Sequence, residues 1–376
     1  MTNTSEQTTS AFAYLNDALP TRYSPPVVVG EELLNDTSLR DHLLSNDVQI
    51  SSAETGDVAS DVLSIFSDPE ILFGNPSFIR TNREAWLEKI RWFTDAGRPI
   101  DFVTMAFAYK MSNPLKTDRL APDAGEALML RRLQSVLDGV ERVYAPGARL
   151  TILEEGILGR CLGADPARIA AYRVGIEPIV EVSGIDRERI GFHSLDDMVA
   201  EIPNFEARWI FEQERLRELF DSGDPATVEA HRQVTSGSRT SVPTGDFDPE
   251  VLVAAYDPAQ NDPALRYVRE YLDKVAHRQF FAYRALLSLR DTTGYLARLR
   301  PNALKLTVSP KPENLAVVPI NTATRILPYH GVPVLRADGT WTIGYLSELG
   351  EDYAGLTALR LVGDYDEAPF AYRETV

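Results

Sequence analysis

The stretch that decides the fold reads IDFVTMAFA at residues 100–108, YKMSNPLKTDRLAP at 109–122, DAGEALMLRRLQSVLDGVERVY at 123–144 and ARLTIL at 148–153. The first and last pieces are short, nearly continuous apolar runs of strand length, the signature of strands buried on both faces. Between them, Leu130, Leu133, Leu137 and Val140 recur at helical spacing and predict a long amphipathic helix. Asp123 and Glu126 fall in its first turn, where carboxylates cap the helix and favour its dipole. Pro146-Gly147 then turns the chain back. A strand–helix–strand unit of this size predicts two parallel strands. In open α/β sheets, ligands bind beyond the C-terminal ends of the strands. Two loops therefore meet at one rim, 109–122 and 154–163. The first offers Lys110, Ser112, Asn113 and Lys116; the second offers Glu154, Glu155 and Arg160. Neither carries a G-x-G-x-x-G turn, so a dinucleotide is not indicated.

Working outward, Asn82 caps a helix whose Trp86, Ile90 and Phe93 line one face before Gly97 stops it. Residues 1–80 form an acidic lead-in, with twelve Asp or Glu against three Arg. Val58, Val62, Leu63, Ile65 and Phe66 have helical spacing there, so part of it is expected to pack on the main body. From about 165 to 296 the pattern is mostly helical, clearest at 205–220, 225–234 and 264–289. Residues 235–248 are rich in Ser, Gly, Thr and Pro and read as a mobile connection. A β-rich tail follows at 304–308, 315–318, 332–335 and 341–345, with Asp338-Gly339 as a hairpin turn. The expected fold class is α/β: a Rossmann-like, mostly parallel sheet flanked by helices, with a helical insertion and a β-rich C-terminal part.

The 376 residues carry a net charge of −17, which argues against a nucleic-acid backbone as partner. No apolar window approaches a membrane span, and the polar start has no secretory signal pattern, so a cytoplasmic location is expected. Cys161 is the one cysteine and no histidines have metal-ligand spacing, so neither a disulfide nor a metal site is expected. Only six of 38 basic residues are lysines: Lys89, Lys110, Lys116, Lys274, Lys305 and Lys311. Lysine differs from arginine because its amine can shed its proton and form imines.

The loop Lys110, Ser112, Asn113, Lys116, the helix start Pro122-Asp123 with Glu126, and the turn Tyr144 to Ala148 resemble the isocyanide (isonitrile) synthase family, which includes the dityrosine-biosynthesis enzymes. LPYHG at 327–331 resembles the Pro-aromatic-His element of that family. The likeness runs from about 79 to 346. It divides the chain into a lead-in (1–80), an isocyanide-synthase-like catalytic domain (81–346) and a C-terminal extension (347–376). Two departures mark a diverged member. Glu154, Glu155, Gly156 and Ile157 stand where the family has Asp-Gly-Arg, and Val308, Ser309 and Pro310 where it has Ile-His-Pro.

The resemblance implies a reaction in which the amine of an α-amino acid becomes an isonitrile. Ribulose 5-phosphate is the co-substrate and carbon donor, with no metal, nucleotide or other cofactor. It also implies, as pathway partner, a downstream iron/2-oxoglutarate oxygenase. Such a site needs cations for phosphate and carboxylate, a tunable acid–base pair and a closed pocket. Lys110, Glu155 and His330 are the catalytic candidates; Ser112, Asn113, Lys116, Glu154, Arg160 and Tyr329 are the substrate-binding candidates. Each has a plainer reading: loop lysines are usually solvated, Ser112 and Asn113 can simply form a turn, and Glu155 can pair with Arg160. Two other functions fit the same residues: other amine chemistry without the sugar phosphate, or a non-catalytic amino-acid-binding protein.

Overall fold

The computed structural model describes residues 20–375 except 73–76, 108, 111, 112, 155, 240, 241, 246, 309–313, 323, 325 and 365. The lead-in supplies strand β1 (Val28–Leu34) and helices α1 (Asp36–Leu44) and α2 (Val58–Ile65). Helix α3 (Arg83–Thr94) buries Trp86, Leu87, Ile90 and Phe93 and leads into β2 (Ile100–Ala106). Helix α4 (Ala124–Val143) crosses over to β3 (Ala148–Glu154), which lies parallel to β2 in register from Ile100↔Ala148 to Ala106↔Glu154. This is the strand–helix–strand unit that the apolar runs predict. Helix α4 is buried over most of its surface, polar Arg132, Gln134 and Ser135 included, because α1, α2 and the later helix α6 pack around it.

After β3 come α5 (Gly156–Cys161), α6 (Pro166–Ser183) and β4 (Ile190–Ser194). The sequence reading places β4 in a helical region; its five residues are too short for a period to show. Helices α7 (Leu195–Glu201), α8 (Phe205–Asp221), α9 (Pro225–Ser238), α10 (Pro249–Tyr256) and α11 (Leu265–Thr292) form the insertion. Helix α9 takes in Thr235 to Ser238, which the composition assigns to a connection. Strands β5 (Leu304–Thr307) and β6 (Asn314–Ala316) complete a wholly parallel sheet in the order β4-β3-β2-β5-β6. Its strand order reverses between β2 and β5, so the crevice expected to take a ligand opens at the C-terminal end of β2.

The C-terminal part adds β7 (Val332–Leu335), β8 (Trp341–Gly344), β9 (Leu356–Leu361) and β10 (Ala371–Glu374). With β1 they make a second, mixed sheet in the order β1-β9-β10-β7-β8. The lead-in, expected to be irregular with short helical pieces, thus also donates a strand, and residues near the two ends of the described chain meet in one sheet. The hairpin of β7 and β8 turns at Asp338-Gly339, where Gly339 takes φ 85°.

Within the insertion, His231 on α9 and His277 on α11 share one hydrogen bond of 2.8 Å among Phe220, Phe280 and Phe281. One ring nitrogen must donate and the other accept, so at least one imidazole is neutral. Burial lowers both pKa values; the charge of His277 adds to this at His231, and that of Arg217 adds to it at His277, with Asp221 opposing. A histidine with a depressed folded-state pKa contributes stability above its unfolded value, about 6.5, and loses it on acidification. The melting temperature is therefore expected to fall as the pH drops below about 6.5. His231→Phe should flatten that slope, and an unchanged slope in the variant would refute the assignment.

Candidate active site

Strand β2 ends at Ala106, and Phe107 then takes φ 58°, a left-handed conformation that is uncommon for a bulky residue. It is buried against Phe192 of β4. Past this break the chain brings Lys110 inward, not out to solvent. The Lys110 ammonium contacts Asp123 directly and lies 3.4 Å from Glu126, and all three side chains are at most 1 % exposed. Lys116 is equally buried, its ammonium 5.7 Å from the centre of the Tyr345 ring. The plainer reading of these lysines as solvated loop residues is thus overturned. The loop is covered by the second sheet and by α4, neither of which shows in the local composition.

Asp123 and Glu126 do cap α4, as their positions predict. Asp123 Oδ1 accepts the Gly125 N–H at 2.8 Å, and Glu126 Oε2 accepts the Asp123 N–H at 2.8 Å. They do more than cap. Asp123 Oδ2 takes the lysine, and Glu126 Oε1 accepts the phenol of Tyr172 on α6 at 2.9 Å. Burial raises the Asp123 pKa well above the usual carboxylate range; Lys110 opposes this and Glu126 adds to it. Burial, then Glu126, likewise raises Tyr172 well above an ordinary phenol.

A 3₁₀ turn, Pro328–His330, lies on the same helix end; a Cβ on Gly125 would come within 3.2 Å of the Pro328 Cβ, so glycine permits the approach. Tyr329 adds to the field on Tyr172, and its ring meets His330 edge-on at 4.7 Å. His330, expected on a β-rich segment, therefore sits on a 3₁₀ turn beside the capped end of α4. Asn113 behaves as a turn former: its Oδ1 accepts the Leu115 N–H at 3.0 Å, and its carbonyl accepts the N–H groups of Lys116 and Thr117.

The second loop holds a separate ion network. Glu154, at the end of β3, lies 3.5 Å from Arg173, and burial raises its pKa against that neighbour's pull. Arg173 also donates to Ser194 at 2.6 Å and to Asp196 at 2.9 Å. Arg160 pairs with Asp196 and lines a groove of about 750 Å³ with Ile157, Cys161, Phe205 and Trp209. Ser112 and Glu155 lie outside the described residues, and with Glu155 lies its expected pairing with His330. Sequence reasoning missed Tyr172 and Arg173, which stand mid-helix with no motif around them. For Asp123 and Glu126 it found the cap and missed the lysine; a carboxylate pair directly after a lysine loop was the available signal.

Tyr109, next to Lys110, is seated on α5 at Gly159, where an added Cβ would fall 2.6 Å from the tyrosine ring. No real Cβ tolerates that distance, so Gly159→Ala must displace Tyr109. We expect at least a tenfold loss of turnover per folded molecule, about the cost of a 1 Å misplacement or less, together with a lowered melting temperature from the overpacking. Full turnover in this variant would show that the placement of Tyr109 is not needed.

Among the described residues no group of three or more His, Cys, Asp or Glu is arranged to hold a metal ion, and no helix is long and apolar enough to cross a membrane. The sequence profile of the pyoverdine/dityrosine biosynthesis proteins matches residues 90–242, from α3 through the lysine loop and α4 into the insertion. Over that stretch the chain is similar to that family. The L-tyrosine isonitrile synthase of Pseudomonas aeruginosa is 29 % identical over 270 residues, 69 % of this chain and 77 % of that protein. The L-tryptophan isonitrile synthase AmbI2 of Fischerella ambigua is 32 % identical over 123 residues, 32 % of this chain and 37 % of that protein. The crystal structure of PvcA from Pseudomonas aeruginosa shares the fold, with a TM-score of 0.61 at 22 % identity, covering 90 % of this chain and all of that one.

Proposed function

We propose that this chain is a member of that family and an isonitrile synthase, converting the amine of an α-amino acid to an isonitrile with ribulose 5-phosphate as carbon donor. The observation that carries the reading is the buried Lys110–Asp123–Glu126–Tyr172 cluster, set at the C-terminal end of β2 beside the reversal of strand order. It lies within the stretch that the family profile matches. Imine formation and breakdown need protons moved at a site shielded from water, and a buried ammonium between two carboxyl groups supports that task. The names of the relatives that carry related sequences support the same product. In this reading Lys116, Arg160 and Arg173 are the cations that would meet phosphate and carboxylate, the arginines by exchanging their present carboxylate partners, and His330 and Glu154 are further acid–base candidates. The reaction requires no metal, and a downstream iron/2-oxoglutarate oxygenase would consume the isonitrile.

The test is incubation of the purified protein with each of the twenty amino acids plus ribulose 5-phosphate, followed by mass spectrometry and phosphate release. One amino acid should give both an isonitrile mass and stoichiometric phosphate. Saturable amino-acid binding without either product would replace this reading with that of a binding protein.

A further inference from the structure

The cluster at the start of α4 holds more acid than a helix cap or an ion pair needs. A cap requires one accepting oxygen, and Asp123 Oδ1 supplies it to Gly125. An ion pair requires one carboxylate per ammonium, yet Asp123 and Glu126 both face Lys110. Glu126 is already engaged at both oxygens, by the Tyr172 phenol and by the Asp123 N–H. The oxygen directed at the lysine is Asp123 Oδ2. With all three groups ionised, the pocket would carry a surplus negative charge without exposure to water. A fold selected for stability alone would drop one carboxylate, because buried uncompensated charge costs several kcal/mol.

We propose that Asp123 is the acid–base partner of Lys110, exchanging a proton with its amine during turnover, and is not solely the cap of α4. This rests on the isonitrile-synthase reading of the site. The step balances simply. When Lys110 has given a proton to the substrate, the O–H bond of Asp123 breaks and an N–H bond forms on the lysine amine. The aspartate left behind recovers its proton from those the substrate amine loses on its way to the isonitrile. The groups facing Asp123 are Lys110 from the loop and Glu126 from the same helix; Tyr172 from α6, with Tyr329 beside it, stands behind Glu126. Burial holds the Asp123 carboxyl protonated well above its usual range, which gives it a proton to lend.

Asp123→Asn tests this, because asparagine caps as well as aspartate does and removes only the exchangeable proton. Asp123→Ser serves as a second cap-preserving variant. The first readout is infrared: the wild type should show a protonated-carboxyl band at neutral pH that Asp123→Asn loses. The second is stability. A carboxyl whose folded-state pKa is raised costs stability as the pH rises above its unfolded value, about 3.9. The melting temperature of Asp123→Asn should therefore gain on the wild type with rising pH. The third is turnover, expected to fall by about 10²–10⁴ in both variants while they remain folded. Turnover within a few-fold of wild type, or a loss that merely follows the folded fraction, would overturn the proposal. So would the absence of any carboxyl band to lose. If the wild type makes no isonitrile, the functional reading fails by itself, and the infrared and stability readouts still decide whether Asp123 holds the proton beside Lys110.

Discussion

Replacing Lys110 by methionine is expected to cost about 3–5 kcal/mol of stability, the usual penalty for breaking a buried ion pair from one side. Methionine fills the aliphatic volume, so the loss measures charge and not a cavity. What remains is Asp123 and Glu126 facing each other in a pocket with no cation and almost no exposure. Asp123 already holds its proton, so Glu126 must take one up as well for the fold to persist, and the defect should deepen as the pH rises and shrink in acid. Urea unfolding at pH 5 and pH 8 checks this, and equal losses at the two values would refute it. Adding Asp123→Asn to Lys110→Met removes one stranded carboxyl group and should recover part of the stability, in the manner of coupled neighbours. Turnover should fall by about 10²–10⁴ beyond the folded fraction. Lys110→Arg separates the roles: it retains the charge, but a guanidinium does not surrender a proton, so the variant is expected to fold better than Lys110→Met and remain inactive.

How much of this was legible beforehand follows from the range of each interaction. The β2–α4–β3 unit was readable because its signal is local: two apolar runs, one helical period and one Pro-Gly turn. Strand β7 was readable for the same reason, and its limits, Val332–Leu335, are the ones the sequence gives. Strand β1 was not, because Val28 and Val29 remain exposed and the residues that hold the strand, on β9, are more than 300 positions away. The lysines illustrate the same limit. Lys110 looks like a loop residue until Asp123, Glu126 and the turn carrying His330 close around it. Tyr172 reaches Glu126 from a helix 46 residues later, and no spacing rule connects the two. Arg160, offered as a partner for Glu155, pairs with Asp196 because α7 follows β4 at the same rim. The residue types on one loop were legible; their geometry was not, because it is assembled by contacts of long sequence separation.

Arg119 is where that assembly is fastened, and Arg119→Ala is expected to have the second large effect. The guanidinium is buried, pairs with Asp364 at 2.8 Å, and donates to the carbonyls of Pro122 at 3.2 Å and Ala368 at 3.0 Å. It thereby ties the residue just before the α4 cap to the segment between β9 and β10. Four further hydrogen bonds join the lysine loop and the start of α4 to the C-terminal part: Tyr372 donates to Asp118 at 2.7 Å, the Ala124 N–H donates to the Phe370 carbonyl, and the Leu346 and Ser347 N–H groups donate to the carbonyls of Lys116 and Leu115. The C-terminal sheet is thus the outer wall of the lysine loop. Truncation at Arg119 strands two carbonyls and a half-buried Asp364, and a loss of about 3 kcal/mol is expected, the lower end for a buried pair because Asp364 keeps some water. Arg119→Lys should recover only part of it, since an ammonium cannot span the forked set of acceptors. The functional consequence should exceed the structural one. With the wall loosened, Lys110 and Asp123 lose their fixed separation, and a displacement near 1 Å is enough to cost about 10²-fold in rate. Turnover per folded molecule and the protease sensitivity of the C-terminal segment, measured on the same samples, check the argument. Arg119→Ala with a mobile C-terminal segment and undiminished turnover would show that the loop keeps its geometry without the wall.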